Sequence, residues 1–133
     1  MSRTVLCVNT EERISEVSDA INAEENLSPI ETTSVNEAVE TINDDSQSIV
    51  GVVTSYELSD GSGMDVIQAV RERIPQTPVV LFTDVSPAEI DTASFEELLV
   101  EYLNRDLPDA DDRLGFIMND IIEHSAQVSF LAP

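Results

Sequence analysis

Polar groups that could bind an ion or react follow directly after several short apolar segments of the chain. They are an amide, hydroxyls, carboxylates and a guanidinium: Asn9, Thr10, Glu11, Ser55, Thr83, Asp84 and Arg105. Magnesium is usually held by one or two carboxylates together with water and phosphate oxygens. Asn9, Thr10 and Ser55 supply only neutral oxygens. Glu11 is therefore at best a single carboxylate ligand, and no cofactor is expected, Mg²⁺ included.

Recognisable catalytic motifs are missing from the sequence. A serine hydroxyl has a far higher pKa than a carboxylic acid, and Ser55 has no adjacent histidine to activate it. The chain contains no Ser-His-Asp or Cys-His set, no zinc-ligand spacing and no phosphate-binding glycine loop. We expect His124 to be a solvated surface residue and the protein not to be an enzyme.

Alternating strand and helix patterns position these groups. Apolar runs predict five buried strands, at Val5–Val8, Ile30–Thr33, Ile49–Val53, Val79–Phe82 and Leu98–Leu103. Helical spacing and N-cap signals predict five helices. The first spans about residues 11–24, the second begins at the capping box Ser34–Glu37, and the third follows Asp60–Gly63. The fourth begins at Ser86-Pro87, and the fifth spans about residues 111–128. This order predicts a doubly wound parallel α/β sheet, in which ligands bind at the carboxyl ends of the strands.

The chain resembles the response-regulator receiver domains of two-component signalling over essentially its whole length. The resemblance is carried by the element order and by the loop Ser59-Asp60-Gly61-Ser62-Gly63 after the third predicted strand. It implies a five-stranded sheet of order 2-1-3-4-5 flanked by five helices. It also implies a single receiver-like domain over residues 1–133.

Two functional positions of that family match, and the others depart from it. The resemblance implies that Thr83 and Tyr102 are the switch residues, the Thr83 hydroxyl bonding a phosphoryl oxygen and Tyr102 serving as the aromatic that rotates. Ser55 occupies the position of the phosphoacceptor aspartate. The acidic pair falls on Asn9 and Thr10, with Glu11 as the nearest acid. The lysine position holds Arg105, and Asp84 replaces a small residue and is placed to form an ion pair with Arg105.

We therefore favour a pseudo-receiver that acts by protein–protein contact without aspartyl phosphorylation. One alternative is an unorthodox receiver phosphorylated on another carboxylate, with Glu11 and Asp84 as metal ligands. Another is a flavodoxin-like domain that binds a small ligand at the strand ends. Purely structural roles also stay open: Ser55 and Thr83 as caps of strand ends, Tyr102 as a core aromatic, and Asp60 as a turn former.

The charge balance limits the partners. The chain has 27 acidic and 6 basic residues, all of the latter arginine, and a net charge of −21. An even acidic coat favours a protein adapted to high salt, and docking on a basic partner is the alternative. Nucleic-acid binding is not expected, since phosphate contacts need Lys and Arg. Without a long apolar segment we expect a cytoplasmic protein that does not span a membrane, with its one cysteine, Cys7, buried in the core.

The last predicted helix is longer than a receiver needs. It carries an apolar stripe of Leu114, Ile117, Met118, Ile121 and Ile122. We expect this stripe to be exposed in part, and to support a homodimer or lead into a further domain. The resemblance implies that the partners are a histidine kinase, a transducer or an attached output domain.

Overall fold

The apolar runs form strands in the computed structural model, which describes residues 3–44, 48–85 and 100–131. The strands are β1 (Arg3–Val8), β2 (Leu27–Thr32), β3 (Ile49–Thr54), β4 (Glu57–Leu58), β5 (Gly61–Ser62), β6 (Val79–Thr83) and β7 (Val100–Asn104). The helices of the described residues are α1 (Ile14–Asn22), α2 (Val35–Ile42), α3 (Gly63–Arg73) and α4 (Ala110–Leu131).

One parallel sheet organises the fold. Its five strands lie in the order β2-β1-β3-β6-β7, while β4 and β5 form a separate two-stranded hairpin. Numbered along the chain, the sheet has the predicted order 2-1-3-4-5. Side chains of α1 and α4 share one apolar cluster, and those of α2 and α3 share another. Helices therefore cover both faces of the sheet, and the doubly wound α/β prediction is confirmed. The helix predicted from Ser86-Pro87 lies outside the described residues.

Several predicted boundaries were wrong by a few residues. The first helix begins at Ile14 instead of about residue 11, because the backbone first makes a turn in which the amides of Arg13 and Ile14 bond the carbonyl of Thr10. The second strand begins at Leu27, three residues before its predicted start at Ile30, and includes Pro29. Among the described strands it pairs only with β1, and an edge strand tolerates a residue without an N–H. The last strand runs from Val100, and residues 98 and 99 lie outside the description.

The capping box predicted at the start of α2 is only half confirmed. The Ser34 hydroxyl accepts a hydrogen bond from the Glu37 amide at 3.0 Å. The Glu37 carboxylate, however, accepts from the amide and the hydroxyl of Thr33, both at 2.9 Å, and so bonds one residue earlier than a capping box requires.

The apolar stripe of α4 packs mostly within the molecule, and its partial exposure is limited to Ile117 and Ile121. Leu114, Met118 and Ile122 are buried, and Ile117 and Ile121 pack against the same cluster. Gly51 on β3 makes this possible, because a Cβ there would lie 2.6 Å from Sδ of Met118. Among the described residues, no helix is both long enough and apolar enough to cross a membrane.

Gly63 sets the start of α3 against the end of β3. Its amide donates to the Tyr56 carbonyl at 2.8 Å. A Cβ at this position would overlap the carbonyl oxygen of Ser55, which belongs to the backbone and cannot turn away. Glycine is thus required for this close approach, and it fixes where the chain goes after Ser55.

We expect Gly63→Ala to lower the free energy of unfolding by about 1–3 kcal/mol through this overlap. Alanine is the better helix former, so propensity alone would raise stability. Denaturant unfolding in molar KCl measures the change. The control is Gln68→Ala, at an exposed position of the same helix, which should change stability by about 0.5 kcal/mol or less. A G63A protein as stable as the wild type would contradict the close approach.

Candidate functional site at the carboxyl ends of the strands

Ser55 and Asn9 lie side by side where β3 and β1 end. The Ser55 amide donates to the carbonyl of Val8 at 3.0 Å, and the Asn9 amide donates to the carbonyl of Thr32 at 3.2 Å. Ser55 is 2% exposed and Asn9 is 1% exposed. The predicted acceptor position is therefore a buried hydroxyl residue held by the backbone of the neighbouring strand.

The residues after β1 provide little charge to this site. The Asn9 side-chain oxygen accepts from the amide of Thr10 at 2.8 Å, so one of its acceptor positions serves the local turn. Glu11 is the one carboxylate of this segment that was predicted for the site, and it is exposed. Within the described residues, no group of three or more His, Cys, Asp or Glu side chains could hold a metal. Neutral oxygens with one outlying carboxylate are a poor match to the preferences of Mg²⁺.

Thr83 and Tyr102 meet at Val85, in the segment that follows β6. The Thr83 hydroxyl, in a residue only 1% exposed, accepts from the Val85 amide at 3.3 Å. The Tyr102 hydroxyl donates to the Val85 carbonyl at 2.6 Å. The two predicted switch residues thus bind the same backbone unit. Val85 itself contributes only backbone atoms, so no side-chain pattern in the sequence could have singled it out.

Asp84 and Arg105 form the ion pair that the sequence predicted. The Arg105 Nη2 atom lies 2.8 Å from Asp84 Oδ2, with the arginine side chain 19% exposed and the aspartate side chain 40% exposed. The Arg105 amide also donates to the carbonyl of Thr83 at 3.1 Å, which brings the ends of β6 and β7 together. Among the described residues, Arg105 Nε is the buried side-chain polar atom without a hydrogen-bond partner. The site's cation is therefore already engaged by a neighbouring carboxylate.

Asp60 has a structural role that the sequence did not reveal. Its two carboxylate oxygens accept from the amides of Val35 and Asn36 at 2.7 and 3.0 Å. These two hydrogen bonds lower the pKa of Asp60 below its ordinary value, the bond from Val35 having the larger effect. The residue joins the hairpin after Ser55 to the N-terminus of α2. The two partners are 24 or 25 residues apart in sequence, too far for any local motif to signal.

The sole cysteine is part of the core, as expected. Cys7 is fully buried on β1. Burial, followed by the negative charge of Glu31, raises the pKa of its thiol to about 12. The thiolate is the reactive form of cysteine, so this side chain acts as a small apolar group.

Structures of known proteins share this fold. The structure of a response-regulator receiver domain protein from Clostridium thermocellum has a TM-score of 0.80, 19% identity, and coverage of 95% of this chain and 98% of that one. The signal receiver domain of a putative LuxO repressor protein from Vibrio parahaemolyticus has a TM-score of 0.80 and 14% identity, with coverage of 100% of this chain and 99% of that one. The structure of NtrX from Brucella abortus has a TM-score of 0.82 and 16% identity, with coverage of 98% of this chain and 29% of that one. No protein-family model and no curated protein sequence matches the chain.

The architecture is thus a doubly wound α/β sheet with four helices in the described residues. The strand order and the structural similarities show that the chain has the fold of response-regulator receiver domains. Identities of this size establish the fold and leave the chemistry of the site to be argued from the chain's own residues.

We expect Asp84→Asn to lower the pKa of Tyr102. Burial raises this pKa most, and the negative charges of Asp84 and Asp106 raise it further because they disfavour a phenolate. The chain has two tyrosines, so a Tyr56→Phe background leaves Tyr102 as the one titrating phenol. Its near-ultraviolet absorbance as a function of pH gives the pKa.

The matched control for this titration is Glu101→Gln, which removes an exposed acid from the same strand and should leave the pKa of Tyr102 almost unchanged. If Asp84→Asn and Glu101→Gln shift it equally, the phenol is responding to the net charge of the protein and not to the Asp84 side chain.

We expect Asp60→Ala to lower the Tm at neutral pH, because two amides of α2 lose their acceptor. The pKa of Asp60 is lower in the folded state than the ordinary 3.8. The contribution of its charge is therefore complete above that value and disappears as the pH falls through the lowered pKa. The Tm difference between wild type and variant should narrow over that acidic range.

Glu57→Ala is the control for this loss, since it removes one exposed carboxylate from the same hairpin. It should not reproduce the Tm difference at neutral pH. A gap between wild type and D60A that stays constant on acidification would show that the charge of Asp60 does not contribute.

Proposed function

We propose that this chain is a receiver-like module of a two-component or phosphorelay system that acts by protein–protein contact, without aspartyl phosphorylation. The observation that carries the proposal is Ser55. It occupies the buried end of β3 next to β1, where the receiver fold would present a carboxylate nucleophile. A hydroxyl in this place lacks both the charge and the activating base that phosphoryl transfer requires.

The surroundings of Ser55 support the same proposal. Aspartyl phosphorylation needs a metal to neutralise the transferring group and a cation to hold the product. Asn9 and Thr10 offer neutral oxygens, Glu11 is exposed, and Arg105 is paired with Asp84 at 2.8 Å. That pair also weighs against Asp84 as a metal ligand, because its Oδ2 atom already faces a guanidinium. The module would bind no Mg²⁺ and catalyse no reaction.

The remaining contacts give the module a way to present a defined surface. Thr83 and Tyr102 hold Val85 from its amide and its carbonyl, and Arg105 bonds both Asp84 and the carbonyl of Thr83. The backbone of Asp84 and Val85, directly after β6, is thereby held without a phosphoryl group. Its partners would be a histidine kinase, a transducer or an attached output domain. The NtrX likeness covers 29% of that longer chain, which is compatible with an attached domain.

The acidic composition supports a cytoplasm of high salt concentration as the protein's environment. The net charge of −21 is spread along the chain, and at high salt the repulsion between surface charges is screened over a few ångströms. For this reason the test is made in molar KCl.

The test compares amide NMR spectra before and after addition of beryllofluoride with Mg²⁺, and separately of acetyl phosphate with Mg²⁺. We expect no saturable shifts at Ser55, Thr83 or Tyr102, since the site lacks the carboxylates that would bind the metal and the phosphoryl mimic. The matched variant carries Asn9→Asp, Thr10→Asp and Ser55→Asp, and it should respond under the same conditions.

Saturable shifts in the wild-type protein, or a covalent phosphoryl adduct at any pocket residue, would overturn the proposal. They would favour an unorthodox receiver phosphorylated on another carboxylate. Coloured protein with a bound flavin would instead indicate a small-ligand domain.

A further inference from the structure

Two side chains at the carboxyl end of the sheet are almost completely buried and still carry unused hydrogen-bonding groups. Ser55 is 2% exposed, and its hydroxyl makes no hydrogen bond with any residue that the structure describes. Asn9 is 1% exposed, and its side-chain oxygen accepts from the Thr10 amide at 2.8 Å. Its Nδ2 atom donates to none of the described residues. Buried polar groups are nearly always hydrogen-bonded, so this pair of groups points to a ligand.

Both unpartnered atoms can be reached from solution. Within the described chain, Arg105 Nε is the one fully buried side-chain polar atom without a partner. Ser55 Oγ and Asn9 Nδ2 also have no partner there, so the small exposed fraction of each residue must include these atoms. An opening that exposes 1–2% of two residues admits a small solute and excludes a large one.

The sheet brings the two groups together. The Ser55 amide donates to the Val8 carbonyl at 3.0 Å, which makes Asn9 and Ser55 the next neighbours along β1 and β3. Neighbouring strands lie about 4.8 Å apart. Cys7 and Val53, two residues earlier on each strand, belong to one apolar cluster, and residues two apart share a face of the sheet. Both polar groups therefore lie on one face, close enough for a single ion to contact them.

The unused groups are mainly donors, and this decides the kind of ligand. The Asn9 oxygen is taken by the Thr10 amide, which leaves the two N–H groups of Nδ2, and the Ser55 hydroxyl adds an O–H. Metal cations such as Mg²⁺ and Ca²⁺ need several oxygen acceptors. Anions need converging donors, as at other sites where N–H groups bind them. The pair therefore suits a small anion.

We propose that Asn9 and Ser55 bind a chloride ion at the ends of β1 and β3 without any metal. A monatomic anion fits the small opening, and Asn9, Thr10 and Ser55 carry no negative charge to repel it. The Arg105 guanidinium lies at the same edge, two strands from Ser55. The inference deepens the proposed function and rests on it in one respect, since both require that this edge of the sheet holds no divalent metal.

The opposing forces are the charge of the molecule and the cost of dehydrating the ion. A net charge of −21 disfavours any anion at low salt, and a buried ion must recover its lost hydration through hydrogen bonds. At 1 M salt the Debye length is about 3 Å. Distant acids are then screened, whereas the two direct contacts persist. The site should therefore fill only as the chloride concentration approaches molar.

Amide NMR at constant potassium concentration is the first measurement. Potassium chloride replaces potassium glutamate in steps, with EDTA present to remove divalent metals. We expect saturable shifts of the Ser55 amide and of the Asn9 side-chain NH₂ group, because glutamate is too large for the opening. Potassium bromide should act in the same way. The anomalous scattering of bromide in crystals should then place the ion between Asn9 and Ser55.

Two variants test the contacts, each with a matched control. Ser55→Ala removes a hydrogen bond to a charged ligand and should weaken chloride binding about ten-fold or more. Asn9→Asp keeps the oxygen that accepts from Thr10 but replaces the donor with a negative oxygen, and should abolish binding. Ser59→Ala and Asn26→Asp make the same changes at exposed positions, in the hairpin and before β2 at the opposite end of the sheet. Both controls should bind chloride as the wild type does, and circular dichroism checks that every variant is folded.

Shifts that grow linearly with chloride would overturn this proposal and leave ordered water as the partner of both groups. Ser55→Ala binding as tightly as the wild type, or bromide located elsewhere, would also overturn it. None of these results involves beryllofluoride or Mg²⁺, so the proposed function would survive them. A saturable response to beryllofluoride with Mg²⁺ would remove the proposed function, and chloride binding in EDTA would still be decided by its own titration.

Discussion

The parallel pairing of β1 with β3 is the constraint on which the site depends. In this register Val8 lies opposite Thr54, and the Ser55 amide bonds the Val8 carbonyl. The two strands therefore end at the same edge of the sheet. Asn9 and Ser55 become neighbours there although they are 46 positions apart in the sequence. Parallel pairing of β6 with β7 brings Thr83, Asn104 and the adjoining Arg105 to that same edge. A shift of one residue in either pairing would turn these side chains to other faces.

Scarcity of positive charge is the second constraint. Six arginines face 27 acids, and close acids already repel one another. The pKa of Asp111 is raised by burial first and then by the negative charges of Glu16 and Asp112. In such a protein the position of each guanidinium matters more than usual. Arg105 pairs with Asp84 directly after β6 and so stabilises the strand-end site within the molecule.

The sequence was a good guide to features that depend on neighbours along the chain. Apolar runs bounded by turn residues predicted the ends of β1, β3 and β6 to within two residues, because buried parallel strands must be apolar on both faces. Ser34 predicted the start of α2 through a local hydrogen bond. The sequence analysis did not anticipate Pro29 within β2, where a proline is accepted because that strand is an edge. It also missed Ser62 and Asp65, which form a true capping box at the start of α3. It also failed at Met118 and Ile122, which looked available for a partner but fill the space above Gly51.

The sequence by itself determined the order of elements, the fold class and the chemical types of group that end each strand. It also determined that the acceptor position is a hydroxyl, since residue types are read directly. Only the tertiary structure decided that Asp60 caps α2, that Val85 is held by both Thr83 and Tyr102, and that Phe116 on α4 is strongly exposed. The physical reason is the separation along the sequence of the groups that interact. Hydrophobic periodicity and capping act over a few residues, whereas these contacts join backbone and side-chain atoms that become neighbours only after the sheet has closed the distance between them.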